Sequence, residues 1–176
     1  QGRPDWPAFA LVLAAAAVGV GSFGFHTLAT RGAALLDVVP IAVFIYGYLL
    51  LALRRFLRLR MWAAAPILVI FAAASRLFEG AFPPGFLNGS ISYVPALLAM
   101  AAVGALAPRK AQRAVLAAAL FFAVSLVLRS VDLAVCPTIP LGTHFLWHGL
   151  NALVIFILLR AAIDARRAPE GAASGP

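Results

Sequence analysis

The spacing of the charges constrains this chain most. Its 14 Lys and Arg and 6 Asp and Glu leave six long, nearly uncharged apolar runs between them. They extend from Trp6 to His26, Val38 to Leu53, Trp62 to Phe78, Ile91 to Leu106, Val115 to Val135 and Thr143 to Ala162. Each is near the roughly 17–25 residues that cross a bilayer as a helix. A chain of 176 residues that is 64% hydrophobic, with a mean hydropathy of +0.99, has too little polar surface for a soluble domain. In lipid every backbone N–H and C=O must be paired within the protein, which leaves helices as the economical solution for runs of this length. The expected fold class is therefore all-α, a polytopic transmembrane bundle with six visible spans. Residues 1–165 are expected to form the transmembrane domain, and 166–176, which read RRAPEGAASGP, a disordered tail.

The net charge of +8 does not point to nucleic acid, because the basic residues sit between the apolar runs instead of forming one face. They alternate from loop to loop. Arg3, Arg54, Arg55, Arg58, Arg60, Arg109, Lys110, Arg113, Arg160, Arg166 and Arg167 fall on one side, and only Arg31, Arg76 and Arg129 on the other. By the positive-inside rule both ends of the chain are expected in the cytoplasm. The RRFLRLR segment can also touch anionic lipid heads, though setting topology is its plainer role. The first run is too long for a signal peptide, has only Arg3 before it, and carries Ser22 and His26. A single cysteine, Cys136, excludes a disulfide framework and an all-cysteine metal site.

The three histidines fall in two stretches, GSFGFHTLATRGAALLDVVP and GTHFLWHGLN. Ser22 and His26 are four apart, on one helical face, and His144 and His148 are likewise four apart. Asp37 stands at the entrance to the second run. With the expected orientation all five lie toward the outer half of the membrane, where ionisable groups are costly and mark sites. Three neutral imidazoles with an open fourth position are a catalytic zinc arrangement. His144 and His148, four apart, can chelate one ion from one helix, and His26 would supply the third nitrogen from another. A zinc ion there lowers the pKa of a bound water toward about 7. Asp37 is then the candidate proton acceptor and donor, and Ser22 the candidate donor to a developing oxyanion. The competing view is that each histidine is a packed structural residue and that Ser22 bonds its own backbone. Three of three histidines at helix ends, on one expected side, favour the metal.

The other polar residues have plainer readings. Arg129 and Asp132, three apart, can pair with one another, or Asp132 can orient one of the histidines. Arg76 and Glu79 form a similarly spaced pair. Cys136 reads as a structural thiol near the outer end, and Asn88-Gly89-Ser90 as a turn that happens to match a glycosylation pattern. Trp147 faces lipid or a pocket wall. Asn151, one turn past His148, is a candidate donor behind the ligands.

At Gly21-Ser22-Phe23-Gly24-Phe25-His26, Leu35-Leu36-Asp37-Val38-Val39-Pro40 and His144-Phe145-Leu146-Trp147-His148 the sequence resembles the alkaline ceramidase family, in the wider superfamily of the adiponectin receptors. DLAVCPTIPLGTHFLWHGLNAL looks like bacterial members of it. The resemblance implies seven membrane helices, a zinc on three histidines, Ser and Asp in catalysis, and hydrolysis of the ceramide amide bond to sphingoid base and fatty acid. Two departures stand out: six spans are visible, and no acidic, calcium-linked segment precedes Trp6. The chain begins at Gln1 and not at Met, so an incomplete or processed form is expected, with the family's first helix upstream. The Ala-, Arg- and Leu-rich composition suggests a high-GC bacterial source and hence an inner-membrane location, with the site toward the periplasmic half. Many bacteria lack ceramide, so another N-acyl lipid or an ester is an open substrate.

The expected function is that of an integral membrane, zinc-dependent lipid hydrolase, with a lipid substrate and the bilayer as its partners and no nucleic acid. The main rival is a receptor-like or signalling protein with a structural zinc site. Such a site would not need an open coordination position beside Asp37. A transporter ranks last, because no pair of broken helices is evident.

Overall fold

Asp5 accepts a hydrogen bond from the N–H of Ala8 at 3.3 Å, Pro7 occupies the first turn, and helix α1 runs Trp6–Leu28. A single left-handed residue, Ala29, ends it. Thr30 then caps helix α2, Arg31–Arg55, by accepting from the N–H of Ala33 at 3.1 Å. These are the residue types that satisfy the orphan N–H groups of a first turn. Helix α3 covers Met61–Gly80, a 3₁₀ segment covers Phe86–Tyr93, and α4 covers Val94–Leu106, α5 Arg109–Val135 and α6 His144–Arg167. The computed structural model describes residues 4–167, and the expected tail beyond Arg167 lies outside the described residues. Arg166 and Arg167, expected in that tail, belong to α6.

Among the described residues, six helical stretches are long and apolar enough to cross a membrane. The architecture is the expected all-α polytopic bundle. Its core joins Phe44, Leu51 and Ala52 of α2, Val115, Ala118 and Phe122 of α5, and Val154, Leu158 and Ala162 of α6. Tyr48, buried in α2, donates its hydroxyl to the Leu158 carbonyl at 3.1 Å. Large apolar side chains face outward, among them Trp62, Val69, Ile70 and Leu77 of α3, whose only buried residue is Ala64. That outer surface suits lipid tails.

The spans differ from expectation mainly at their ends. The second helix begins at Arg31 instead of Val38, so Asp37 is its seventh residue and lies inside the span, not at its entrance. The fourth span is a composite. Leu87 and Asn88 adopt left-handed conformations, with φ of 50° and 54°, and regular α-helix starts only at Val94. The Asn88-Gly89-Ser90 stretch is thus a turn, and the Asn88 amide donates to the Arg129 carbonyl at 3.0 Å.

One helix–helix contact sets the level of the site. Pro40 has no N–H, so the Leu36 carbonyl in the preceding turn of α2 lacks its usual intrahelical donor. That carbonyl points at Gly21 of α1, where an added Cβ would run into it. The two backbones approach as only glycine permits, and the freed carbonyl meets the Cα–H side of Gly21. Ser22 and Asp37 each follow one of these two residues, so the contact brings them to one depth on neighbouring helices.

At the opposite end of the bundle Asp5 is held by both terminal nitrogens of Arg55, at 2.8 and 2.9 Å, and by Arg166 at 3.2 Å. Arg55 also donates to the Ala162 carbonyl at 2.8 Å. This clasp ties the start of α1 to the ends of α2 and α6. The bundle therefore has a basic end, and the histidines sit at the other.

Candidate metal centre and cavity

His26 lies in the last turn of α1, and His144 and His148 in the first two turns of α6. The bundle brings all three together. One nitrogen from each falls within 4.8 Å of the others, and Nε2 of His148 is 3.0 Å from Nε2 of His26. The ring centroids stand 4.8, 4.9 and 5.4 Å apart, each pair close to edge-on. Tetrahedral zinc with bonds of about 2.0–2.1 Å sets its ligand nitrogens roughly 3.3–3.4 Å apart. The closest pair needs to open by a few tenths of an ångström, and the third nitrogen to move in. The donor set fits a borderline cation such as zinc.

A cavity of about 610 Å³ opens from this cluster into the bundle. Ser22, His26, Asp37, Trp147, His148 and Asn151 lie along it with Tyr48 and Tyr93, and the remaining walls are largely apolar, including Phe44, Met100, Val103, Phe122 and Leu158. His26 and His148 line it, while His144 stands behind them. Two polar atoms here are buried without a hydrogen-bond partner among the described residues: Oδ1 of Asp37 and Nε1 of Trp147. An unpaired buried polar atom is costly and rare in a native fold. Both residues line the cavity, so a buried acceptor and a buried donor are left unsatisfied at its wall.

Comparison of the chain with protein-family models, with curated proteins and with solved structures finds no match. The functional reading therefore rests on the residues themselves.

Arg129 and Asp132 do not pair as their spacing allows. Asp132, 9% exposed, turns its carboxylate to the start of α6. Oδ1 accepts the N–H groups of Thr143 at 2.6 Å and His144 at 2.9 Å, and Oδ2 lies 3.9 Å from Nδ1 of His144. Arg129 stacks instead on Trp147, with its guanidinium carbon 4.6 Å from the ring centroid, and reaches toward Tyr93 at 5.6 Å. These contacts bridge α5, α6 and the 3₁₀ segment; the sequence offers Asp132 beside a histidine as one option, but spacing along one helix reveals neither the backbone N–H partners of Asp132 nor the stacking of Arg129. Trp147 is a pocket wall, 5% exposed. Asn151 accepts from the buried Ser125 hydroxyl at 3.0 Å, fixing its amide at the cavity. Cys136 is half-buried, with Sγ 4.0 Å from Asp132 Oδ1, and is not one of the clustered ligand donors. Arg76 and Glu79 form the expected pair at 3.6 Å, well exposed.

Proposed function

We propose that this protein is an integral membrane, zinc-dependent lipid hydrolase of the alkaline ceramidase kind, cleaving the amide of ceramide or a related N-acyl lipid. One observation carries the reading. Three imidazole nitrogens converge at the polar end of an apolar cavity that Asp37 also lines, with one of its carboxylate oxygens buried and unpartnered.

His26, His144 and His148 would hold the ion. When bound, zinc supplies Lewis-acid polarisation of the scissile carbonyl and a water of lowered pKa. Asp37, unpaired and facing the same cavity, takes the proton of the attacking water and passes it to the leaving amine. The Ser22 hydroxyl donates to the oxygen that gains charge as the carbonyl becomes tetrahedral. The apolar walls accommodate an acyl chain and keep bulk water from the reacting amide. The basic end, by its charge, faces the cytoplasm, which puts the histidine end toward the outer side of a bacterial inner membrane.

Incubating the purified protein with a panel of N-acyl lipids and esters, followed by mass spectrometry of released fatty acids and amines, tests the activity. Equimolar fatty acid and amine from an N-acyl lipid is the expected result. A zinc-loaded protein that releases neither would favour the receptor-like alternative with a structural metal. Orientation is tested by a cysteine placed at position 58 in a Cys136→Ser background. Its labelling from the periplasmic side would reverse the assignment.

A further inference from the structure

Asp132 lies outside the ligand cluster and off the cavity, yet its buried carboxylate is committed to the helix that carries two of the three histidines. Oδ1 accepts the backbone N–H groups of Thr143 and His144, and the Thr143 hydroxyl donates to the Leu128 carbonyl at 2.6 Å. The first turn of α6 is thereby fastened to α5. Gly142, with φ of 62°, leaves no room for a side chain here, since an added Cβ would strike Asp132 Oδ1. The other oxygen, Oδ2, faces Nδ1 of His144 at 3.9 Å. That distance is too long for a hydrogen bond, but it puts a carboxylate beside Nδ1 of His144, which leaves Nε2 as the nitrogen free to ligate.

We propose that Asp132 is a positioning residue for the metal centre: one carboxylate oxygen caps α6, and the other holds His144 as the Nδ1–H tautomer, presenting Nε2 to the ion. This rests on the metal reading given above. A ligating histidine commonly donates its second ring N–H to a carboxylate, which fixes the ring and raises its basicity. Closure of the 3.9 Å gap on metal binding completes that arrangement.

Asp132→Asn separates the two roles. Asparagine Oδ1 still accepts the two backbone N–H groups, so the cap survives. Its amide N–H₂ now faces Nδ1 and favours the opposite tautomer, with Nε2 protonated and unable to ligate. Zinc affinity is measured by competition with a chromophoric chelator in the purified protein. The expected result for Asp132→Asn is about a 10–100-fold loss in affinity, with the thermal midpoint of the zinc-free protein little changed. Wild-type affinity in this variant would show a cap and nothing more, and would overturn the proposal. A second measurement needs no variant. Imidazole ¹⁵N resonances of the zinc-loaded wild type should show His144 protonated at Nδ1 and ligated through Nε2, and ligation through Nδ1 would overturn it even if Asp132→Asn fails to fold. A wild type that binds no zinc would remove the underlying metal reading, and the proposal with it.

Discussion

Nε2 of His26 and Nε2 of His148, 122 residues apart in the chain, stand 3.0 Å from each other. Two imidazole nitrogens at that distance need a shared proton or a shared cation between them. His144, with its own ring edge-on to both, makes the cation the better answer. The purified protein should carry about one zinc per chain. A chelator should lower its thermal midpoint, since a ligand at 100-fold its dissociation constant stabilises by about 2.7 kcal/mol. His148→Ala should lose most of the metal, and a His144→Ala/His148→Ala protein that keeps all of it would remove the site.

Asp37 is the seventh residue of α2, and Thr30 already caps that helix. A capping role is thus closed to Asp37, and the buried, unpartnered Oδ1 calls for another. Asp37→Asn keeps the shape and removes the base. It should fold, retain zinc on the three histidines, and lose turnover by about 10²–10⁴-fold, the usual contribution of a general acid–base group. Parental turnover in a zinc-loaded Asp37→Asn protein would take this carboxylate out of the reaction.

The bundle and its histidines were legible because both signals are local or compositional. Nearly uncharged runs announce spans, and three histidines with a serine and an aspartate at helical spacings are scarce features in an apolar chain. What escaped were helix ends and contacts between distant segments. Hydropathy begins the second span at Val38, because Thr30, Arg31 and Gly32 look like loop, yet the Thr30 cap makes them the start of the helix. Spacing on one helix allows Arg129 to pair with Asp132, and leaves open that Asp132 orients a histidine instead. The N–H groups that take the Asp132 carboxylate belong to residues 11 and 12 positions later, beyond a turn whose shape local pattern does not encode. The role of Gly21 emerges only when Pro40 of the neighbouring helix is considered with it.

That glycine can be tested directly. Gly21→Ala places a methyl against the Leu36 carbonyl and must push α1 from α2 at the level of Ser22 and Asp37. Overpacking of this kind costs about 1–3 kcal/mol, so both the thermal midpoint and turnover should fall. Gly19→Ala and Gly24→Ala are the controls, since an added Cβ at either meets nothing within 4 Å. Equal effects at all three positions would mean that helix propensity, and not the close approach, controls the outcome.

The clasp at the basic end makes a prediction in pH. Burial alone would raise the Asp5 carboxyl, but hydrogen bonds from Arg55 and the Ala8 N–H, with the charges of Arg55 and Arg166, outweigh it and hold Asp5 below the ordinary value of 3.8. A carboxyl whose folded pKa is depressed adds stability above its unfolded pKa, and that stability is lost as pH falls through the folded value. Asp5→Asn preserves the cap to Ala8, because asparagine caps as well as aspartate, and removes the charge together with one of the two oxygens that accept from Arg55. At neutral pH Asp5→Asn should be less stable than wild type by up to about 1 kcal/mol, the usual worth of an ion pair that solvent partly screens. The gap should hold down to the ordinary carboxylate range and close below pH 3.8, where the wild-type carboxyl takes up its proton. Chemical unfolding in detergent at a series of pH values reads this difference. A gap that stays constant through the acid range would mean that Arg55 is held by the Ala162 carbonyl, and that the Asp5 charge adds nothing to the clasp.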